Sequence, residues 1–375
     1  MSSSLMIANR QTWFGHGSIR HLLPLLQANA QPTLLFSCRS FLNGEVYAAL
    51  AAELAPLLVG TEIVSHEASP QDIDGWVARW RGKAARVVAI GGGSVLDAAK
   101  AFSALVQHPL PTLRYMEKVG DSPLSGATLP LIAIPTTAGT GSEVTQNAVI
   151  TDTQFSKVKA SLRHNNFVPQ VAILDPQLLA GAPDRVLAYC AIDAFTHLFE
   201  AYLSKTASSL SREMSLTGIG LFLEGWPALN RSDAAREAVM HASYLGGLTL
   251  SMAGLGVIHG IAGEIGALRD YHHGQLCGRL LLPFLSLLAD SAQPEQRARM
   301  TQLAARLFPQ HAQRPEQYLH QLITEHAIAP FWQNDLPLSE DELLIVLDKS
   351  NSKNSLVDYS AAQRRAMIEQ AFRIE

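Results

Sequence analysis

Val87-Val88-Ala89-Ile90-Gly91-Gly92-Gly93-Ser94-Val95-Leu96-Asp97-Ala98-Ala99-Lys100 is the stretch on which the fold class turns. Its first four residues are apolar and mostly β-branched, as a short buried strand requires. The glycines stop that strand, and the alanine-rich segment after them is built from good helix formers. A buried strand turning through glycine into a helix opens a βα unit. Glycine lets the backbone approach a ligand closely, and a helix start offers unpaired N–H groups and partial positive charge to phosphate. The glycines are not spaced as G-x-G-x-x-G, so a plain strand–helix turn is an equal reading of this stretch.

Working outward, residues 33–38, 86–90, 129–134 and 171–174 are short apolar runs that end in Gly, Pro, Ser, Thr or a polar residue. Residues 46–58 and 71–81 have helical spacing between them. This alternation predicts a Rossmann-like, doubly wound parallel sheet. After the strand Leu131-Ile132-Ala133-Ile134 comes Pro135-Thr136-Thr137-Ala138-Gly139-Thr140-Gly141-Ser142-Glu143, which gathers hydroxyls and backbone N–H groups at a strand's C-terminal end. Open α/β sheets bind ligands there. Two glycine-rich loops of this kind point to one shared, phosphate-bearing ligand.

Beyond Asp175-Pro176 the texture changes to Ala, Leu, Glu, Arg and Gln with helical apolar spacing. Residues 188–202, 209–223, 233–251, 278–288 and 294–308 are expected helices. The expected division is an α/β dinucleotide-binding domain over 1–180 and an all-helical metal-binding domain over 181–375. Asp193 and His197 lie four apart, on one helical face. Gly254-Leu255-Gly256-Val257-Ile258-His259 and Tyr271-His272-His273-Gly274 add imidazoles. One carboxylate and three imidazoles suit a divalent transition metal with a position open to substrate. Taken singly, each is as well explained as a helix cap or a hydrogen-bonded core histidine; the chemistry rests on the set.

Composition removes several classes. A net charge of −4 without long runs of Lys or Arg gives no electrostatic reason for nucleic acid or an anionic membrane as partner. Cys38, Cys190 and Cys277 are far apart, which suits a reducing compartment rather than a disulfide framework. No signal-peptide pattern or membrane-length apolar run is present, so the expected location is cytoplasmic.

The motifs together resemble the iron-containing (group III) alcohol dehydrogenase family. Phe14-Gly15-His16-Gly17-Ser18, GGGSVLDAAK at 91–100, PTTAGTGSE at 135–143, Val171-Ala172-Ile173-Leu174-Asp175-Pro176, the Asp193 and His197 pair, GLGVIHG at 254–260 and His273 occur in the family's order. The resemblance implies Asp193, His197, His259 and His273 as ligands of Fe²⁺ or Zn²⁺. It places Gly92, Gly93, Ser94 and Asp97 near the pyrophosphate of NADP or NAD, Thr136, Thr137 and Thr140 along the cofactor, and Lys159 near its ribose. It implies hydride transfer between the nicotinamide and a small alcohol or aldehyde, in a homodimer or larger homo-oligomer. His259 and His273 would act at the reacting centre.

Two departures from the family pattern bear on chemistry. Many members carry a histidine four residues after the third ligand, where it assists proton transfer; here that position is Gly263. The proton then leaves through His272 or water, the substrate differs, or catalysis has weakened. Relatives that prefer NAD end the early strand with an acidic residue, whereas here Ser37 and Arg39 follow Phe36. Both could hold a 2′-phosphate, which favours NADP; a solvated Arg39 is the plainer alternative. Maleylacetate reductases, which generally work without metal, and glycerol dehydrogenases and dehydroquinate synthases share the expected architecture. A non-catalytic nucleotide-binding protein is the rival of a different class.

Overall fold

The computed structural model describes residues 4–152, 157–333 and 335–375. The chain forms two compact units, one of Ile7–Ala182 and one of Pro183–Glu375 joined by the described N-terminal residues 4–6. The first is built on strands β1 (Gln11–Phe14), β2 (Thr33–Ser37), β3 (Leu58–Ile63), β4 (Arg86–Gly91), β5 (Leu131–Pro135) and β8 (Val171–Leu174). They form one six-stranded sheet in the order β1-β8-β5-β4-β2-β3, with every pairing parallel. Helices α1 (Leu22–Ala28), α2 (Arg39–Leu42), α3 (Glu45–Leu54), α4 (Pro70–Trp80) and α5 (Gly93–Leu105) connect them. An antiparallel pair, β6 (Asn147–Asp152) and β7 (Val158–Arg163), stands outside this sheet.

Alternation along the strands makes two cores. Leu34, Phe36, Val87, Ala89, Leu131 and Ala133 face α4 and α5, packing on Ile73, Trp76, Leu96 and Phe102. Their neighbours Leu35, Val88, Ile90, Ile132, Ile134 and Ile173 face the other way, onto Leu22, Leu26 and Leu54 of α1 and α3. Burial on both faces is why these strands are near-continuous apolar runs. The edge strands β1 and β3 are largely exposed and carry polar residues. Asp175, fully buried, accepts from the backbone N–H groups of Gly17 and Ile19, tying the Phe14–Ser18 turn to the end of β8.

The second unit contains α6 (Asp184–Tyr202), α7 (Ser209–Gly225), α8 (Asp233–Ala253), α9 (Val257–Leu268), α10 (His273–Ser291), α11 (Pro294–Leu307), α12 (Pro315–Glu325), α13 (Glu340–Lys349) and α14 (Ala361–Ala371). A short parallel pairing of β9 (Pro337–Leu338) with β10 (Arg373–Ile374) adds a little strand to an otherwise helical unit. Every residue of α6 from 187 to 202 is buried, the expected state of a helix apolar nearly all round. Between α8 and α9 the chain bends by 100°. Gly254 makes that bend possible, at φ +68° and packed against Asn354. Among the described residues no single helix is long and apolar enough to cross a membrane.

Candidate functional site

In the helical unit, the fold brings the four expected metal-type residues together. Asp193 and His197 sit one turn apart on α6, His259 in the first turn of α9, and His273 at the start of α10. Asp193 Oδ1 is the common point: His259 Nε2 lies 3.4 Å away, His197 Nε2 3.7 Å and His273 Nε2 3.8 Å. The His197 and His259 rings stack at 4.6 Å. Asp193 and His259 are 2% and 3% exposed, while the His273 side chain is 25% exposed and marks the solvent side.

Two residues were missed from sequence. The Glu200 carboxylate, buried on α6, has Oε2 2.7 Å from His259 Nδ1, while its Oε1 accepts from the Ile258 N–H at 2.7 Å. With Nδ1 turned to Glu200, Nε2 points at Asp193. The signal was available, since Glu200 falls seven residues after Asp193, two turns along one face. Cys277, one turn after His273 on α10, has its Sγ 3.6 Å from His259 Nε2 and 3.7 Å from His273 Nε2. Donor atoms of Asp193, His259, His273 and Cys277 all lie within 4.8 Å of one another; His197 stands outside this set of four. The same i, i+4 spacing that singled out Asp193 and His197 would have found Cys277.

The electrostatics are those of a cation site. Burial raises the Asp193 carboxyl, but His197, His273 and His259 outweigh it and hold the group well below the carboxylate range. Burial opposes charge on His259, yet Cys277, Asp193 and Glu200 raise it well above its ordinary value. Burial pushes the Cys277 thiol up to about 11. Asp193 Oδ1 accepts no hydrogen bond although it is buried. A buried acceptor in that state, ringed by imidazole nitrogens, fits a divalent cation.

In the sheet unit, the two glycine-rich loops meet. A Cβ on Gly93 would stand 2.5 Å from Thr140 Cγ2, and one on Gly92 3.2 Å from Thr137 Oγ1. The Thr136 N–H donates to Gly91 O at 2.9 Å. Gly92, Gly93 and Ser94 form the start of α5, half-buried, with Thr136, Thr137 and Thr140 beside them. The fully buried Lys100 Nζ holds the second loop, donating to Ser142 O, Ser142 Oγ, Thr145 Oγ1 and Asn147 O at 2.7–3.1 Å. Burial lowers its ammonium to about 8 against the pull of Asp97 and Glu143.

Three of the expected cofactor residues are engaged by groups of the protein itself. Asp97 accepts from Ser142 Oγ at 2.5 Å and from the Val149 N–H at 3.1 Å, so it ties α5 to the second loop and to β6. A carboxylate beside a pyrophosphate would repel it, which accords with this internal role. Lys159 Nζ is paired with both oxygens of Glu67, at 2.6 and 2.7 Å. Ser37 is fully buried and donates to Ile90 O at 2.8 Å, because its side chain points into the sheet; Arg39 is exposed at the start of α2. Gly263 faces open space, with no heavy atom within 4 Å of where a Cβ would stand, and His272 is exposed beside the Tyr189 ring.

The model of the family described as iron-containing alcohol dehydrogenase matches residues 9–176, and that of the Fe-containing alcohol dehydrogenase family, C-terminal, matches residues 187–362. The chain belongs to the iron-containing alcohol dehydrogenase family. Among relatives in this family, the probable alcohol dehydrogenase EutG of Escherichia coli (strain K12) is 42% identical over 200 residues, 52% of this chain and 49% of EutG. The 1,3-propanediol dehydrogenase of Klebsiella pneumoniae is 34% identical over 243 residues, 63% of this chain and 62% of that protein. The chain thus spans about half to 62% of the length of these relatives. The sulfoacetaldehyde reductase of Bifidobacterium kashiwanohense, solved in complex with NAD+, has the same fold, with a TM-score of 0.88 at 22% identity over 99% of both chains.

Proposed function

We propose that this iron-containing alcohol dehydrogenase family member is a metal-assisted, nicotinamide-dependent oxidoreductase that interconverts a small alcohol and its aldehyde. The observation that carries the reading is the buried Asp193 Oδ1 with three imidazole Nε2 atoms at 3.4–3.8 Å. Asp193, His197, His259 and His273 would hold Fe²⁺ or Zn²⁺. One carboxylate and neutral imidazoles leave net positive charge, so such a metal supplies Lewis-acid polarisation of a carbonyl oxygen. Two electrons move as hydride, so the metal need not change oxidation state.

The chain's own groups divide the remaining work. Glu200 fixes the tautomer of His259. The α5 start, at Gly92, Gly93 and Ser94, offers N–H groups to a pyrophosphate, and Thr136, Thr137 and Thr140 offer hydroxyls along the cofactor. With Ser37 turned inward, Arg39 is the exposed cation for a 2′-phosphate, which supports NADP; NAD is the alternative. With glycine at 263, the exposed His272 or water carries the proton to solvent. The 1,3-propanediol dehydrogenase among the relatives supports a small alcohol as substrate class, and the family resemblance supports a cytoplasmic homo-oligomer.

Gly263 favours a second reading, a nucleotide-binding protein without turnover. The test is to reconstitute the chain with Fe²⁺ or Zn²⁺, measure metal per chain, and screen aldehydes, maleylacetate and, in reverse, glycerol with NADPH and NADH. About one tightly held metal and aldehyde reduction, both lost in His259→Ala with helicity retained, is the expected result. Cofactor binding with no turnover of any substrate would favour the second reading. Full activity in His259→Ala would overturn the assignment of the centre.

A further inference from the structure

The thiol of Cys277 is fully buried and lies against two of the proposed metal-holding imidazoles, at 3.6 and 3.7 Å from His259 Nε2 and His273 Nε2. A single S–H can donate to one of these nitrogens at a time, whereas one cation can engage the sulfur and both nitrogens. The distances fit that arrangement. A tetrahedral site with metal–nitrogen bonds near 2.05 Å and a metal–sulfur bond near 2.3 Å sets S and N donors about 3.6 Å apart, and O and N donors about 3.3–3.4 Å apart. His259 Nε2 and Asp193 Oδ1 stand at 3.4 Å. Asp193 Oδ1, buried and without a hydrogen bond, points into the same space.

We propose that Cys277 is itself a metal ligand, supplying a thiolate alongside Asp193, His259 and His273. The inference rests on the metal reading above and changes what the centre selects. A carboxylate, two imidazoles and a thiolate form a softer donor set than a carboxylate and three imidazoles, and thiolate sulfur favours Zn²⁺ over Fe²⁺. His197, outside this set of four donors, becomes a fifth neighbour, with its Nε2 3.7 Å from Asp193 Oδ1. As the metal–sulfur bond forms, the sulfur keeps both electrons of its S–H bond and the proton leaves to solvent.

The test is the near-ultraviolet spectrum of the full chain loaded with Co²⁺, with cobalt per chain counted by elemental analysis. The wild-type chain is expected to show an intense thiolate-to-cobalt charge-transfer band at about one cobalt per chain. Cys277→Ser is expected to keep its cobalt and its circular dichroism and to lose the band, and its preference for Zn²⁺ over Fe²⁺ in competition should fall. Cobalt bound by the wild-type chain with no such band removes Cys277 as a ligand and leaves the carboxylate–imidazole centre standing. A band that persists in Cys277→Ser assigns it to another cysteine and overturns the proposal. A wild-type chain that takes up no cobalt, zinc or iron overturns the metal reading and Cys277's part in it together. Absence of the band from the wild-type spectrum overturns the proposal even where the variant fails to fold.

Discussion

Glu200 is held by the Ile258 N–H on one oxygen and faces His259 Nδ1 with the other, so one carboxylate positions both the ring and the helix start that carries it. Gly256 permits this, since a Cβ there would stand 2.7 Å from Glu200 Oε1. A partner of this kind orients a metal-binding imidazole and raises its basicity, and its loss typically costs 10–100-fold in affinity. Glu200→Gln keeps the shape and removes the charge, so zinc affinity, measured by competition with a chelating dye, should fall by about tenfold or more. Equal affinity in the two proteins would show that Glu200 only fills space. A different carboxyl should reveal itself through pH. Burial raises Glu143 from 4.5 to about 7, so between those values the folded chain keeps a proton that the unfolded chain has lost. The contribution of Glu143 to stability therefore falls with rising pH across that window, at no more than about 1.4 kcal/mol per unit, and is flat above it. In urea titrations, Glu143→Gln should match the wild type near pH 4.5 and become increasingly more stable up to pH 7. A constant difference at every pH would show that Glu143 does not titrate as its burial requires.

Helix α10 must lie almost in contact with α6 for His273 and Cys277 to reach Asp193. Gly274 makes that approach possible, because a Cβ there would stand 1.9 Å from the backbone oxygen of Tyr189, a collision no side-chain movement relieves. Gly274→Ala should push the two helices apart, destabilise the chain by about 1–3 kcal/mol and weaken metal binding with every donor still present. Thermal melts and the same dye competition check both effects; wild-type zinc affinity in Gly274→Ala would mean that the centre does not depend on this crossing. The same elements show what was legible in the sequence. Strands β2, β4, β5 and β8 could be read because burial on both faces makes them apolar runs ending in turn residues. Edge strands β1 and β3 were missed: only one side of each is paired, and Glu62, Thr61 and Gly60 break the pattern in β3. Helix α9 was hidden by Gly260, Gly263 and Gly266, which argue for a loop when read locally. Gly260 is required by packing, since Asn351 O lies 2.1 Å from where its Cβ would be. The segment 351–355 braces the GLGVIHG turn: Asn354 N–H donates to Leu255 O, and Ser355 Oγ accepts from Val257 N–H. Donor types and order were thus readable for Asp193, His197, His259 and His273. Glu200 and Cys277 carry a helical spacing from Asp193 and His273 that nominates them, but their roles show only once the fold sets the imidazoles beside them.

At the scale of the whole chain, the two proposed ligands fall on different units. The donors Asp193, His197, His259, His273 and Cys277 all lie after Pro183, while the glycine-rich loops at 91–94 and 135–143 lie before Ala182. A ligand that binds only the folded state stabilises it by about 2.7 kcal/mol at a concentration one hundred times its dissociation constant. Amides that exchange by local opening should feel this first where the ligand closes that opening. Zinc should therefore slow exchange most in the first turns of α9 and α10 and along α6 around Asp193, where three separate helices must stay together for the donors to converge. NADPH should instead protect the start of α5 and the loop after β5, whose N–H groups are the proposed phosphate contacts. Hydrogen exchange read by mass spectrometry, with each ligand alone and with both, separates the two footprints. Protection by zinc confined to the neighbourhood of histidines outside the centre, such as His311 and His320, with α6, α9 and α10 unchanged, would remove the metal from the proposed centre. NADPH protection that bypasses 91–94 and 135–143 would remove the cofactor from the loops while leaving the metal assignment intact.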